Sequence, residues 1–206
     1  MELVEEFKKA EIVIGVLTGN GPTEHKVLKG IAKKYDGGKK ILYFPRRPGY
    51  QHGSGLSVLK VTKIYVSKYN IKDFLCLIDR EYIKTSITER EVENKLREFG
   101  VEVGSIQKFL AEGEEALRVE GTVGIHKFIL WTAIIGREKC IEENIAKILE
   151  AKFRERVEPT KDGVKSILKK HHVNIERLMA SASISKIKVS FPALDTILSS
   201  LESNEG

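Results

Sequence analysis

Cysteine is nearly absent: Cys76 and Cys140 are the only two in 206 residues, far apart and without CxxC spacing. That excludes a disulfide framework and a thiolate-based metal knuckle, and both residues read as small buried hydrophobes in a reducing cytoplasm. Methionine and glutamine are equally scarce, with two of each amid abundant Lys, Glu and Ile. This bias is reported for proteins of high-temperature organisms, so a thermostable protein is expected. No apolar run approaches the roughly eighteen residues a membrane span needs, and no basic segment followed by an apolar one opens the chain. The expectation is a soluble, cytoplasmic protein with no membrane partner. Internal repeats and low-complexity segments are also missing.

What is present is a globular composition, 41% hydrophobic and 31% charged. The length gives room for one good core plus an appendage, or two small domains, at about 100 to 200 residues per domain. A formal charge of +6 and a pI near 9.1 point to an anionic partner, of which nucleic acid is the usual one.

The most informative stretch is Phe74-Leu75-Cys76-Leu77-Ile78-Asp79-Arg80-Glu81-Tyr82, a five-residue apolar run that stops at two carboxylates. Its shortness favours a buried strand over a piece of buried helix. On a strand, Asp79 and Glu81 leave the same face, because side chains repeat with a period of two. Two hard oxygen ligands with no Cys or His beside them suit Mg2+ or Mn2+ better than Zn2+.

Upstream, Ile12-Val13-Ile14-Gly15-Val16-Leu17 is a second continuous apolar run, the pattern of a strand covered on both faces. It meets the turn Thr18-Gly19-Asn20-Gly21-Pro22-Thr23-Glu24, after which Val27, Leu28, Ile31, Ala32 and Tyr35 recur at helical spacing until Asp36-Gly37-Gly38. The turn, with Asn20, Gly21 and Thr23, offers backbone N–H groups at a helix N-terminus, where phosphates bind. It is neither a P-loop nor a dinucleotide fingerprint. Lys40–Phe44 predicts a third strand, followed by a loop over 45–55 that carries Arg46, Arg47, Tyr50 and His52. Guanidinium forks and an aromatic between glycines suit a phosphate backbone and a stacked base.

Residues 56–69 admit strand or helix. Helix is preferred, because a crossover then lets strand 74–78 lie parallel to its predecessors. Overlapping capping-box patterns at Ser86–Glu89 and Thr88–Glu91 predict a helix over 88–99 ended by Gly100. Val101–Val103 reads as a short strand, 116–119 and 127–135 as a ladder or sheet edge, and Gly121–Gly124 as a turn. From Arg137 the pattern becomes helical, with acids early and bases late in the first helix, a break at Glu158-Pro159-Thr160, and a last helix near Pro192. His171 and His172 fall between helices and read as surface residues.

The succession strand, Asn20-Gly21-Pro22-Thr23-Glu24, helix, and then a strand ending Asp79-Arg80-Glu81 resembles the Toprim domain of topoisomerases, primases and OLD-family nucleases, over roughly residues 10 to 136. Gly21, Thr23, Glu24 and Asp79 match its Glu-Gly-x-Thr-Asp/Glu and Asp-x-Asp motifs. Asn20 stands where the first glutamate would be, and Glu81 where the second aspartate would be. The resemblance implies a mainly parallel α/β sheet of about four to five strands flanked by helices over residues 1–136, with a helical region over 137–206. It also implies a Mg2+-dependent nuclease-type phosphodiester hydrolase acting on DNA or RNA. Asp79, Glu81 and Glu24 would be catalytic, with Asp79 and Glu81 holding metal, and Arg46, Arg47, His52 and Lys60 would grip nucleic acid. Two alternatives stay open: a catalytically silent nucleic-acid-binding module that keeps the fold, and a binder of a small phosphorylated ligand at the 18–24 turn. The oligomeric state is not encoded in any motif.

Overall fold

The computed structural model describes residues 1–6, 13–19, 21–35, 40–44 and 54–203. A single seven-stranded sheet forms the middle layer, in the order β1 (Glu2–Val4), β3 (Ile41–Tyr43), β2 (Val13–Thr18), β4 (Asp73–Asp79), β7 (His126–Ile135), β6 (Glu114–Val123) and β5 (Glu102–Ala111). The pairs from β1 through β7 are parallel, whereas β7, β6 and β5 form an antiparallel meander. The α/β class is as expected, but the sheet is mixed and larger than the mainly parallel four to five strands expected.

The segments read as strands at 101–103, 116–119 and 127–135 lengthen into β5, β6 and β7, and β1 is the strand that had no expectation. β5 alternates half-buried and exposed positions along its ten residues, so it shows no apolar run of the kind that marks a doubly covered strand. The turn between β5 and β6 is formed by Glu112 and Gly113, both at positive φ. Gly121 lies inside β6 against Phe128 rather than in the turn expected there, which follows at Gly124. β7 is no edge strand, since it pairs with β4 over Ile129–Ile135 and forms the expected ladder with β6 on its other side.

Strand β4 shows the two-sided burial that its continuous apolar run implies. Leu75 and Leu77 join one apolar cluster, and Phe74, Cys76 and Ile78 join another on the opposite face. The first cluster is covered by α1 (Pro22–Ala32) and by helices of the C-terminal region: α4 (Ile141–Phe153), α5 (Lys161–Lys170), α6 (Ile175–Ser181), α7 (Ile184–Ser190) and α8 (Pro192–Ser203). The second is covered by α2 (Lys60–Tyr69), entered through a 3-10 turn over Gly55–Leu59, and by α3 (Thr88–Glu98). Residues 56–69 are thus helical throughout. The region after 136 is helical as expected, and its apolar side chains share one core with α1 and the sheet.

Because α1 and α2 lie on opposite faces, the chain leaves β2 toward β3 on one side and returns past it to β4 on the other. In open α/β sheets this reversal creates a crevice at the carboxyl ends of the strands, where ligands gather.

Candidate functional site

The carboxyl end of β2 leads into α1 through Gly21, whose φ of +97° is a left-handed conformation natural only to glycine. Pro22 then occupies the first helical turn, where its missing N–H costs nothing. Thr23 and Glu24 complete that turn, and the Glu24 carboxylate is buried, at 1% exposure. One strand over, Gly19 donates its N–H to Leu77 O at 2.9 Å, fastening the end of β2 to β4 just before Asp79.

Asp79 ends β4 and is equally buried, at 1%. Its Oδ1 accepts a hydrogen bond from Ile141 N at 3.1 Å, so the N-terminus of α4 is aimed at this carboxylate. The strand stops there, and residues 80–82 form a 3-10 turn. The period-two argument for Asp79 and Glu81 therefore fails, yet both side chains border the same cleft. Glu81 reaches it from an exposed position, with its backbone N–H bonded to Lys139 O at 2.8 Å. Between them Arg80 turns away, pairing with Glu115 at 3.2 Å.

That cleft, about 520 Å3, is bounded by three helix starts: Pro22–Glu24 of α1, Ile141 and Glu142 of α4, and Thr160 and Lys161 of α5. Lys26 and Lys139 complete a cationic rim with Lys161. Helix N-termini carry partial positive charge and lysines a full one, so the cleft has an anion-attracting rim over carboxylates at its base. The loop that carries Lys139 is held by Glu143, whose carboxylate accepts from the backbone N–H groups of Arg137, Glu138, Lys139 and Cys140 at 2.6–3.2 Å. Burial pushes the Glu143 pKa up, but those four donors outweigh it and hold the group below the usual carboxylate range. Burial and the bond to Glu142 push the Cys140 thiol up to about 12, so this cysteine on the cleft wall offers no thiolate at neutral pH.

The structure thus brings together Thr23, Glu24, Asp79 and Glu81. Lys60 is exposed at the start of α2, on the other face of the sheet, and does not border the cleft. Asn20, Arg46, Arg47 and His52 lie outside the described residues. His171 is half-buried, stacked on Phe153 at 3.7 Å and paired with Glu155 at 3.0 Å, while His172 is exposed. Sequence reasoning missed Lys26, Lys139, Ile141 and Lys161. The last three belong to the helical region, 60 or more residues beyond Asp79 in the chain, and no local spacing ties them to it. A second hollow of about 720 Å3 lies at the amino end of β4, lined by Lys72, Asp73, Glu102 and Phe128 among others, and holds none of the expected residues.

The chain matches no protein-family model, no curated protein and no solved structure with which it was compared.

Proposed function

We propose that the chain is a divalent-metal-dependent phosphodiester hydrolase acting on nucleic acid, built on a Toprim-like arrangement of strands. The observation that carries this is the cleft itself, with Glu24 and Asp79 buried at its base beneath a rim of three lysines and three helix starts. Two carboxylates bordering one space favour a cation between them, and the rim favours phosphate.

The donors fit magnesium. They are oxygen only, and among the described residues no three Asp, Glu, His or Cys side chains are grouped as a ready cage. Mg2+ is commonly held by one or two carboxylates, with water and substrate phosphate filling the remaining positions. Asp79 and Glu24 would hold the ion, rather than Asp79 and Glu81 as expected from the sequence, because Glu81 sits exposed at the mouth on the 3-10 turn after β4. When bound, it supplies charge that polarises the phosphoryl group and acidifies water. The chain's own contribution is positioning. The N-terminus of α4 fixes the Asp79 carboxylate, and Lys26, Lys139 and Lys161 draw the phosphates in and offset their charge. Asn20 provides no proton, so general acid/base help from that position is lost.

A labelled oligonucleotide incubated with Mg2+ or Mn2+ tests this. Cleavage is expected with either ion, absent in EDTA and abolished by Asp79→Ala. Arg46→Ala/Arg47→Ala should weaken binding and flatten its salt dependence by one to two units of about 0.7 to 0.9 each. One feature favours a second reading: about 520 Å3 is the size of a small-molecule site, and helix starts suit a phosphorylated ligand. Saturable binding of a nucleotide with no affinity for oligonucleotides at low salt would select it. Oligonucleotide binding without cleavage by either ion would leave the catalytically silent module.

A further inference from the structure

Residues 151–190 contain ten Lys and Arg against four Asp and Glu, so about a fifth of the chain carries its whole formal charge of +6 while the remainder is balanced. Within this segment α5 is two-sided. Val164 is buried, and Ile167 and Leu168 pack on the core. Lys161, Lys165 and Lys169, spaced i, i+4 and i+8, are all exposed on one flank. Among the described residues none of the three forms an ion pair. Two of the four acids are already engaged elsewhere: Glu155 with Lys170 and His171, and Glu176 with Lys29.

The row has a direction, because Lys161 stands on the rim of the cleft that holds Asp79 and Glu24. With a rise of about 1.5 Å per residue, successive lysines are about 6 Å apart and the row runs about 12 Å away from the cleft. That spacing is comparable to the interval between phosphates of an extended single strand. An unneutralised cationic row leading into a site is the arrangement that tracks a nucleic-acid backbone. A lipid surface fits less well. None of the large exposed apolar side chains lies on α5, so nothing on this helix would enter the acyl boundary.

We infer that the Lys161–Lys165–Lys169 flank of α5 is a backbone-binding track that guides single-stranded nucleic acid into the cleft. It rests on the proposed hydrolase reading but concerns residues outside the Toprim-like region, and binding can be read without cleavage.

The test is the salt dependence of affinity for a fluorescein-labelled oligothymidylate in EDTA, measured for the full chain and for Lys165→Gln/Lys169→Gln. The control is Lys63→Gln/Lys95→Gln, which removes equal charge from α2 and α3 on the opposite face. The α5 variant is expected to lose about 1.4 units of the log–log slope, at about 0.7 per phosphate contact on a single strand. The control should keep the native slope, and both variants should keep the native thermal midpoint. An unchanged slope in the α5 variant, or an equal loss in the control, overturns the track. If Mg2+-dependent cleavage persists in that case, the hydrolase reading survives without it. No oligonucleotide binding by the native chain at low salt overturns both. Loss of binding to phosphatidylserine vesicles in the α5 variant, with the oligonucleotide slope intact, would make the flank a lipid-facing one and overturn the proposal.

Discussion

Replacing Glu114 by glutamine probes the joint that holds the C-terminal helices to the sheet. Glu114 begins β6 and is 2% exposed. Its Oε1 accepts from Gly136 N at 3.1 Å and from the Asn144 side-chain amide of α4, and its Oε2 accepts from Ala193 N at 3.2 Å in the first turn of α8. A glutamine has one acceptor oxygen. Placed at Oε1 it keeps two bonds but sets its NH2 against the Ala193 N–H, a buried donor facing a donor. The cost is about 1–3 kcal/mol, offset in part by removal of a buried charge. Against a total of about 5–15 kcal/mol this is measurable, and it lowers the thermal midpoint by roughly 2–4 °C per kcal/mol for a chain of this size.

The pH dependence gives a sharper test. Burial pushes the Glu114 pKa up, only partly countered by Asn144 and the two backbone donors. A group whose folded pKa is raised gives stability that is complete below its unfolded value, about 4.3 for Glu, and lost as pH rises through the folded pKa. The native protein should therefore exceed the glutamine variant most at about pH 4, and the gap should narrow toward neutrality. Urea midpoints at a common m-value, taken at several pH values, measure it. A gap that widens with pH would show that the three donors outweigh burial. Equal stability at every pH would sink the idea that this carboxylate joins the layers.

Glu143→Ala removes the acceptor for four backbone N–H groups and should cost about 1–2 kcal/mol, in the range of a lost helix cap. Because that carboxyl lies below its usual range, the native advantage should be full above about pH 4.3 and fade as pH falls through its own pKa, the opposite trend to Glu114. Gly30→Ala would place a methyl 2.5 Å from Met179 Cβ and 2.6 Å from Glu176 O where α1 crosses α6, so chemical denaturation should show a loss of about 1–3 kcal/mol. Asn20→Glu should raise Mg2+-dependent cleavage by some part of the roughly 100- to 10,000-fold that a placed acid or base contributes, read as single-turnover rate against native protein.

The strands that position the cleft were legible because doubly buried strands write themselves as continuous apolar runs, as at 13–17 and 74–78. The carboxylates at their ends were legible for the same reason, since polarity returns abruptly at Asp79 and at the turn before Glu24. The full extent of the meander was not: 116–119 and 127–135 read as a ladder, but the run of β5 on to Ala111 was hidden, because its half-exposed positions blend into polar sequence and pairing is a long-range choice. Nor was the second wall of the cleft. That Ile141 donates to Asp79 follows from how α4 leaves the loop after β7, which no local spacing specifies. The cost of burying Asp79 is offset by a partner 62 residues away.

Whether the cleft binds a divalent metal is read most directly from the anomalous difference density of crystals soaked in Mn2+. One strong peak is expected in the cleft, in direct contact with carboxylate oxygens of Asp79 and Glu24 and lost in Asp79→Ala crystals. No peak there, or one whose position ignores the Asp79 substitution, would contradict the proposed metal site.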